Sequence, residues 1–156
     1  MLFEMNGARF PAVTGEAVDG TPFAAGNLAG KRTIAFAGFA IEHRPELESW
    51  VPYLDPLMRS RTDLRGRLFA VLRPKPKVVR AMLLAALRKA VKAPEQRAST
   101  IVLFTDVDAF CRALGIADRT HLAVFLLDET GQVMWRAAGA FSTETGASLT
   151  DALARS

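Results

Sequence analysis

What this chain lacks narrows its chemistry before any motif is sought. It has one cysteine, Cys111, so it forms no intramolecular disulfide and offers neither a CxxC pair nor a cysteine-rich zinc site. Two-cysteine redox chemistry within one chain is thereby excluded. Its apolar runs are short: stretches such as residues 81 to 87 fall well short of the ~20 residues a membrane span needs, and arginine or lysine flanks them. The opening "MLFEMNGARFPAV" carries Glu4 and has neither a basic n-region nor an apolar h-region, so no secretory leader is expected and cytoplasmic residence is. Acidic residues are missing altogether between Asp63 and Glu95, where Arg65, Arg67, Arg73, Lys75, Lys77, Arg80, Arg88, Lys89 and Lys92 all lie. The net charge of +4 is therefore concentrated in one segment, which favours an anionic partner: lipid headgroups, nucleic acid or an acidic protein surface.

What is present belongs to a folded domain. Half the residues are hydrophobic and 23% are charged, unlike the polar composition of disordered chains. No repeat, low-complexity tract or linker divides the sequence. A single domain is expected over residues 1 to 156.

The residue pattern alternates between two periods. Residues 10 to 31, punctuated by Gly15, Asp19-Gly20, Pro22, Gly26 and Gly30, read as short extended pieces, with Asp19-Gly20 the best hairpin signal. Residues 33 to 39 are continuously apolar, the pattern of a strand covered on both faces. Pro45 suits a first helical turn, and Leu47, Trp50, Val51 and Leu54 then predict a helix to about Met58. A strand is predicted over 67 to 72, and a basic amphipathic helix over 77 to 92. In that helix Val79, Met82, Leu83, Ala86, Leu87 and Ala90 form the apolar stripe, with Lys77, Arg80, Arg88, Lys89 and Lys92 opposite. Residues 99 to 105 predict a third strand and Asp106 an N-cap for a helix carrying Val107, Phe110, Cys111 and Leu114 inward, stopped by Gly115. Residues 122 to 127 and 132 to 138 predict a hairpin through "DETG", and 143 to 154 a terminal helix weakened by Gly146. Such an order implies an α/β fold: a central mixed sheet with helices on both faces, closed by a C-terminal β-hairpin and helix.

Three stretches in this order, "FPAVTGEAVDGTPFAAGNLAGKRTIAFAGF", "IVLFTDVDAFCRALGI" and "LAVFLLDETGQVMWRAAG", resemble the thioredoxin-like superfamily in its peroxiredoxin and alkyl-hydroperoxide-reductase-like branch. Within it the chain is similar to cysteine-free thioredoxin-like proteins related to the assembly factor of the mitochondrial ATP synthase membrane sector. That resemblance implies a chaperone-like role in holding a hydrophobic membrane subunit before assembly. It also implies where chemistry would sit: a redox member carries its thiolate in the turn after Phe39, where a helix N-terminus lowers the thiol pKa. Residues 40 to 47 contain no cysteine, and where the superfamily often places a cis-proline this chain reads Arg119-Thr120-His121-Leu122. Arg119 is at most a displaced echo of the peroxiredoxin arginine. Peroxidase and disulfide exchange are not expected, and catalytic residues are assigned to none.

The candidate surfaces follow from this. The first is a vestigial groove of Ile41, Glu42, His43, Arg44, Pro45, Glu46, Arg119, Thr120 and His121. The second is a basic contact surface of Arg73, Lys75, Lys77, Arg80, Arg88, Lys89 and Lys92, in which Ala81, Leu84 and Val91 are interleaved among the cations as if to meet a partner. Cys111 falls on the inward face of its helix and reads as core, the alternative being a peroxiredoxin-like thiol enzyme. His43 and His121 read as loop histidines, the alternative being copper or zinc binding with Glu42 or Glu46. Glu42, Glu46 and Glu48 suit a helix N-terminus without any catalytic role. No phosphate loop, Ser/His/Asp set or nucleotide motif appears, so no cofactor and no resident metal are expected. The expected function is a redox-inactive binding or assembly module with a protein partner, a membrane protein or anionic membrane among the candidates. Nucleic acid is not expected, because Phe69, the one aromatic residue of the basic stretch, reads as strand core.

Overall fold

The computed structural model describes residues 8 to 155; the opening residues 1 to 7, on which much of the no-leader expectation rests, lie outside them. The elements in chain order are β1 (Thr14–Ala17), β2 (Pro22–Ala24), β3 (Arg32–Gly38), α1 (Arg44–Ser49), α2 (Val51–Ser60), β4 (Leu64–Leu72), α3 (Lys77–Ala90), α4 (Pro94–Ser99), β5 (Thr100–Phe104), α5 (Val107–Leu114), β6 (Ala123–Leu127), β7 (Val133–Ala138) and α6 (Thr143–Ala154). Seven strands form one sheet in the order β2-β1-β5-β4-β3-β6-β7. Strands β3, β4 and β5 run parallel, while β1 and β6 flank them antiparallel. This is the mixed α/β sheet that the alternation of periods implies, with β3 at its interior.

The side-chain alternation of β3 divides the core. Ile34 and Phe36 join Trp50, Val124, Leu126, Trp135 and Leu149 beneath α1, α2 and α6. Ala35 and Ala37 face the other way, toward Phe69, Phe110, Phe125 and the buried side of α5. A smaller cluster of Val18, Leu84 and Val102 lies beneath α3. Both hairpins close as their turn residues require: Asp19 Oδ1 accepts from the Thr21 N–H at 2.9 Å. Asp128 Oδ1 accepts from Thr130 N–H at 2.8 Å and Gln132 N–H at 3.0 Å, and Gly131 takes φ +87°, a conformation that favours glycine.

Five expectations are corrected. The helix expected from Pro45 to Met58 is two helices meeting at Trp50, because Pro52 lacks an N–H and its ring crowds the preceding turn. The break lets Trp50 bury fully and its Nε1–H donate to Gly139 O at 3.0 Å, and it turns Val51 outward to solvent. Strand β4 begins at Leu64 rather than 67, and Ser99 ends the unforeseen short helix α4 instead of opening β5. Gly146 does more than weaken α6: a Cβ there would lie 2.6 Å from Phe141 Cε1, so the position has room only for glycine.

The fifth correction concerns α3. Of the expected apolar stripe only Leu83 and Leu87 are half-buried, while Val79, Met82, Ala86 and Ala90 face solvent. The buried residue is Leu84, expected on the polar side, which sits 7% exposed against Val18 and Val102. The physical reason lies in the strip beneath. Arg88 runs inward to donate from Nε to Val18 O at 2.9 Å and to approach Glu16 at 3.6 Å, and the Arg80 guanidinium lies 6.0 Å from the Phe104 ring centroid. The half-buried Arg88 stem thus shares the sheet side with Leu84 and Leu87, and Val78, Val79 and Met82 are left outward.

Candidate functional site

Strand β3 ends at Gly38, and the chain turns through Phe39 and Ala40 into a single 3-10 turn, Ile41–His43, that leads directly into α1. Pro45 in the first turn of α1 costs no hydrogen bond there. Ile41, 80% exposed, stands at the tip, and Glu42, Arg44 and Pro45 are exposed around it. Arg44 Nε pairs with Glu48 along the helix surface at 3.2 Å.

His43 is not a solvent-exposed loop histidine. It is 5% exposed, its ring stands edge-on to Phe39 with centroids 6.1 Å apart, and its Nδ1 accepts from the Phe39 N–H at 3.1 Å. Accepting at Nδ1 puts the proton of the neutral ring on Nε2, which leaves no lone pair on Nε2 for a metal. Among the described residues no group of three or more His, Cys, Asp or Glu side chains is placed to hold a metal ion.

Glu46 is the residue that organises the site. It lies in the first turn of α1 as its charge suits, yet its side chain crosses to the loop before β6. Oε1 accepts from the Leu122 N–H at 2.8 Å, and Oε2 lies 2.7 Å from His121 Nδ1. An ionised carboxylate only accepts, so His121 Nδ1 carries the proton. Burial works against ionisation of Glu46, but the Leu122 N–H and the hydrogen bond and charge of His121 outweigh it and hold the carboxyl below its usual range. The Glu46 hydrogen bond and charge in turn raise the His121 imidazole. Ser49 was not foreseen: its Oγ donates to Glu46 O at 2.5 Å and accepts from the Phe141 N–H at 2.9 Å, tying α1 to the chain after β7. Pairs so far apart in sequence leave no local signal.

The remaining candidates are dispersed. Arg119 turns away from the turn to pair with Asp108 on α5 at 2.6 Å, whereas Thr120 bonds back to Asp118 at 2.9 Å through its N–H. Cys111 is 1% exposed in the α5-side core, and burial pushes its thiol up even with Arg119 beside it, the reverse of an activated nucleophile. In the basic segment Arg73, Lys75, Lys77, Arg80, Lys89 and Lys92 are exposed and Arg88 is half-buried. Phe69 is fully buried against Phe10 and Phe23. The β3–α1 turn thus offers a carboxylate–imidazole pair and an apolar tip, with no thiol, and no hydroxyl bonded to either imidazole among the described residues.

No family model and no curated protein matches the sequence. Solved structures match over nearly the whole chain. A proposed electron transfer protein from Aquifex aeolicus VF5 superposes with a TM-score of 0.68 at 18% identity, covering 94% of this chain and 91% of that one. BsSco, a member of the Sco family of cytochrome c oxidase assembly proteins, gives 0.65 at 16% identity, over 95% and 93%. A thioredoxin-family thiol:disulfide interchange protein from Chlorobium tepidum TLS gives 0.53 at 21% identity, over 94% of each. The fold is thioredoxin-like. In this thioredoxin-like domain the β3–α1 turn is the place where the resemblance expects a thiolate, and Glu46 joins that turn to the loop before β6. No helix among the described residues is long and apolar enough to cross a membrane.

Proposed function

We propose that this protein is a redox-inactive thioredoxin-like module that binds a protein partner, in the manner of an assembly factor, through the exposed turn around Ile41. The observation that carries the reading is the Glu46 clasp. The turn expected to hold a thiolate holds none, and a carboxylate bridges it to Leu122 and His121, while the one cysteine is buried in a different part of the fold. A turn clasped by Glu46 and carrying an apolar tip is suited to binding and has no nucleophile to react with what it binds. The narrower kinship with the peroxiredoxin branch and with ATP synthase assembly belongs to the same reading, as does a hydrophobic membrane subunit as the partner. Support of a general kind comes from the Sco family member, an assembly protein by its own description.

Two measurements test this. Insulin reduction and peroxide consumption are assayed with wild type and Cys111→Ser; turnover by wild type that disappears in Cys111→Ser overturns the reading. A photo-reactive side chain at position 41 is expected to cross-link one defined polypeptide in detergent extracts of source cells, with no such product when the reactive group is placed at exposed Arg59.

A further inference from the structure

A helix that only covers a sheet keeps its large apolar side chains inward; α3 buries Leu84 and half-buries Leu83 and Leu87, yet leaves three further large apolar side chains in solvent. Val78 at 71% exposed, Met82 at 65% and Val79 form its outer side, with exposed Ala81, Ala85 and Ala86 beside them. Three of the five large apolar side chains exposed among the described residues therefore share one helix. Cations stand at both ends of this row. Arg73, Lys75 and Lys77 precede it and Lys89 and Lys92 follow it, all exposed, and none of the five pairs with a carboxylate within 4.0 Å among the described residues. Glu16 pairs with Arg88 and Asp108 with Arg119. At the far end Arg88, Lys89, Lys92 and Arg97 line a shallow open depression.

The chemistry of this face selects its occupant. A second copy would set cations against cations, since no acid between Asp63 and Glu95 is available to pair with them. A short peptide would need a groove on this face to seat its side chains, whereas here α3 itself presents the apolar row, about 21 Å long from 14 helical residues. A lipid surface needs no pocket: its acyl boundary accepts a ridge of valine and methionine while its phosphates meet flexible lysines. We infer that α3 is an interfacial helix that lies on an anionic bilayer, with Val78, Val79 and Met82 entering the acyl boundary and Lys75, Lys77, Lys89 and Lys92 at the headgroups. This goes beyond the reading of the β3–α1 turn and does not depend on it.

Co-sedimentation with phosphatidylcholine vesicles, with and without phosphatidylserine, tests the inference directly. Binding is expected only to the anionic vesicles and is expected to weaken as salt rises. Lys77→Gln and Lys89→Gln are each expected to lower partitioning about fivefold, and Val78→Gln and Met82→Gln roughly tenfold. All four positions are exposed, so their urea midpoints should match wild type and loss of folding is separated from loss of binding. Absence of binding to anionic vesicles overturns the inference. So does binding indifferent to Val78 and Met82, which is adsorption by charge alone, or a concentration-dependent dimer that Met82→Gln dissociates. Because redox assays and cross-linking at position 41 are read separately, failure of the vesicle experiment leaves the proposed function standing.

Discussion

Truncating Leu84 and Met82 in turn tests the orientation of α3, on which its outward apolar face depends. Leu84→Ala removes three carbons from a site that is 7% exposed, worth about 2.4 kcal/mol of transfer free energy at ~0.8 kcal/mol per methylene. The partly collapsed cavity adds to this, but the cluster beneath α3 has only Val18 and Val102 as its other fully buried members and can relax, so a total of about 2.5 to 3 kcal/mol is expected. Met82→Ala acts on a side chain that is 65% exposed, in a helix that tolerates alanine at least as well, and should stay within about 0.5 kcal/mol. Urea unfolding followed by tryptophan fluorescence suits the comparison, because Trp50 and Trp135 are buried in a different cluster and report global unfolding. With a slope near ~2 kcal/mol per molar urea, the midpoint falls by roughly 1.3 M for Leu84→Ala and by less than about 0.3 M for Met82→Ala. Equal costs, or a larger cost at Met82, would refute the orientation and with it the lipid-facing ridge.

Cys111 in the native protein is expected to be inert to an aromatic disulfide reagent and to react stoichiometrically after unfolding, since burial raises its thiol; rapid native labelling would contradict its placement. The Glu46–His121 clasp should make stability pH-dependent in a defined window. The lowered Glu46 carboxyl contributes above its ordinary value of 4.5 and loses that contribution as pH falls through the lower folded value. The raised His121 contributes below 6.5 and loses its share as pH rises through the higher folded value. The urea-midpoint gap between wild type and Glu46→Gln should therefore be widest between pH 4.5 and 6.5, and a gap that keeps widening into alkaline conditions would rule out the His121 contribution. Gly146→Ala should destabilise by about 1 to 3 kcal/mol through overpacking, although helix propensity alone favours alanine by ~1 kcal/mol. The added Cβ meets the Phe141 ring, which is held against Trp50 and Tyr53 at centroid distances of 5.2 and 5.4 Å; a thermal midpoint at or above wild type would show that the ring can move.

The fold was legible where a feature depends on neighbours in the chain. Asp106 and Gly115 bound α5 as their side-chain chemistry requires, Asp128 and Gly131 shape the β6–β7 turn, and the unbroken apolar run of β3 marks a strand with core on both faces. The empty cysteine positions are equally a property of the sequence alone. Periodicity misled at α3 because it reports which residues are apolar and says nothing of which side meets the sheet. The Arg88 stem is long enough to take an inward position, and a strip with Val18 and Val102 fully buried and Leu72 and Phe104 partly buried beside them does not cover the wider stripe. It misled again at Val51, where Pro52 interrupts the helix that the spacing continues.

The site divides the same way. That no thiol occupies residues 40 to 47 and that Glu46 sits in a first helical turn followed from the sequence. That Glu46 reaches Leu122 and His121, that Arg119 leaves them for Asp108, and that His43 is buried with its Nδ1 occupied were decided only when the sheet brought β3 and β6 side by side. Local hydrogen bonding and turn chemistry are determined within a few residues, whereas a contact across 75 residues exists only once the strands between have paired.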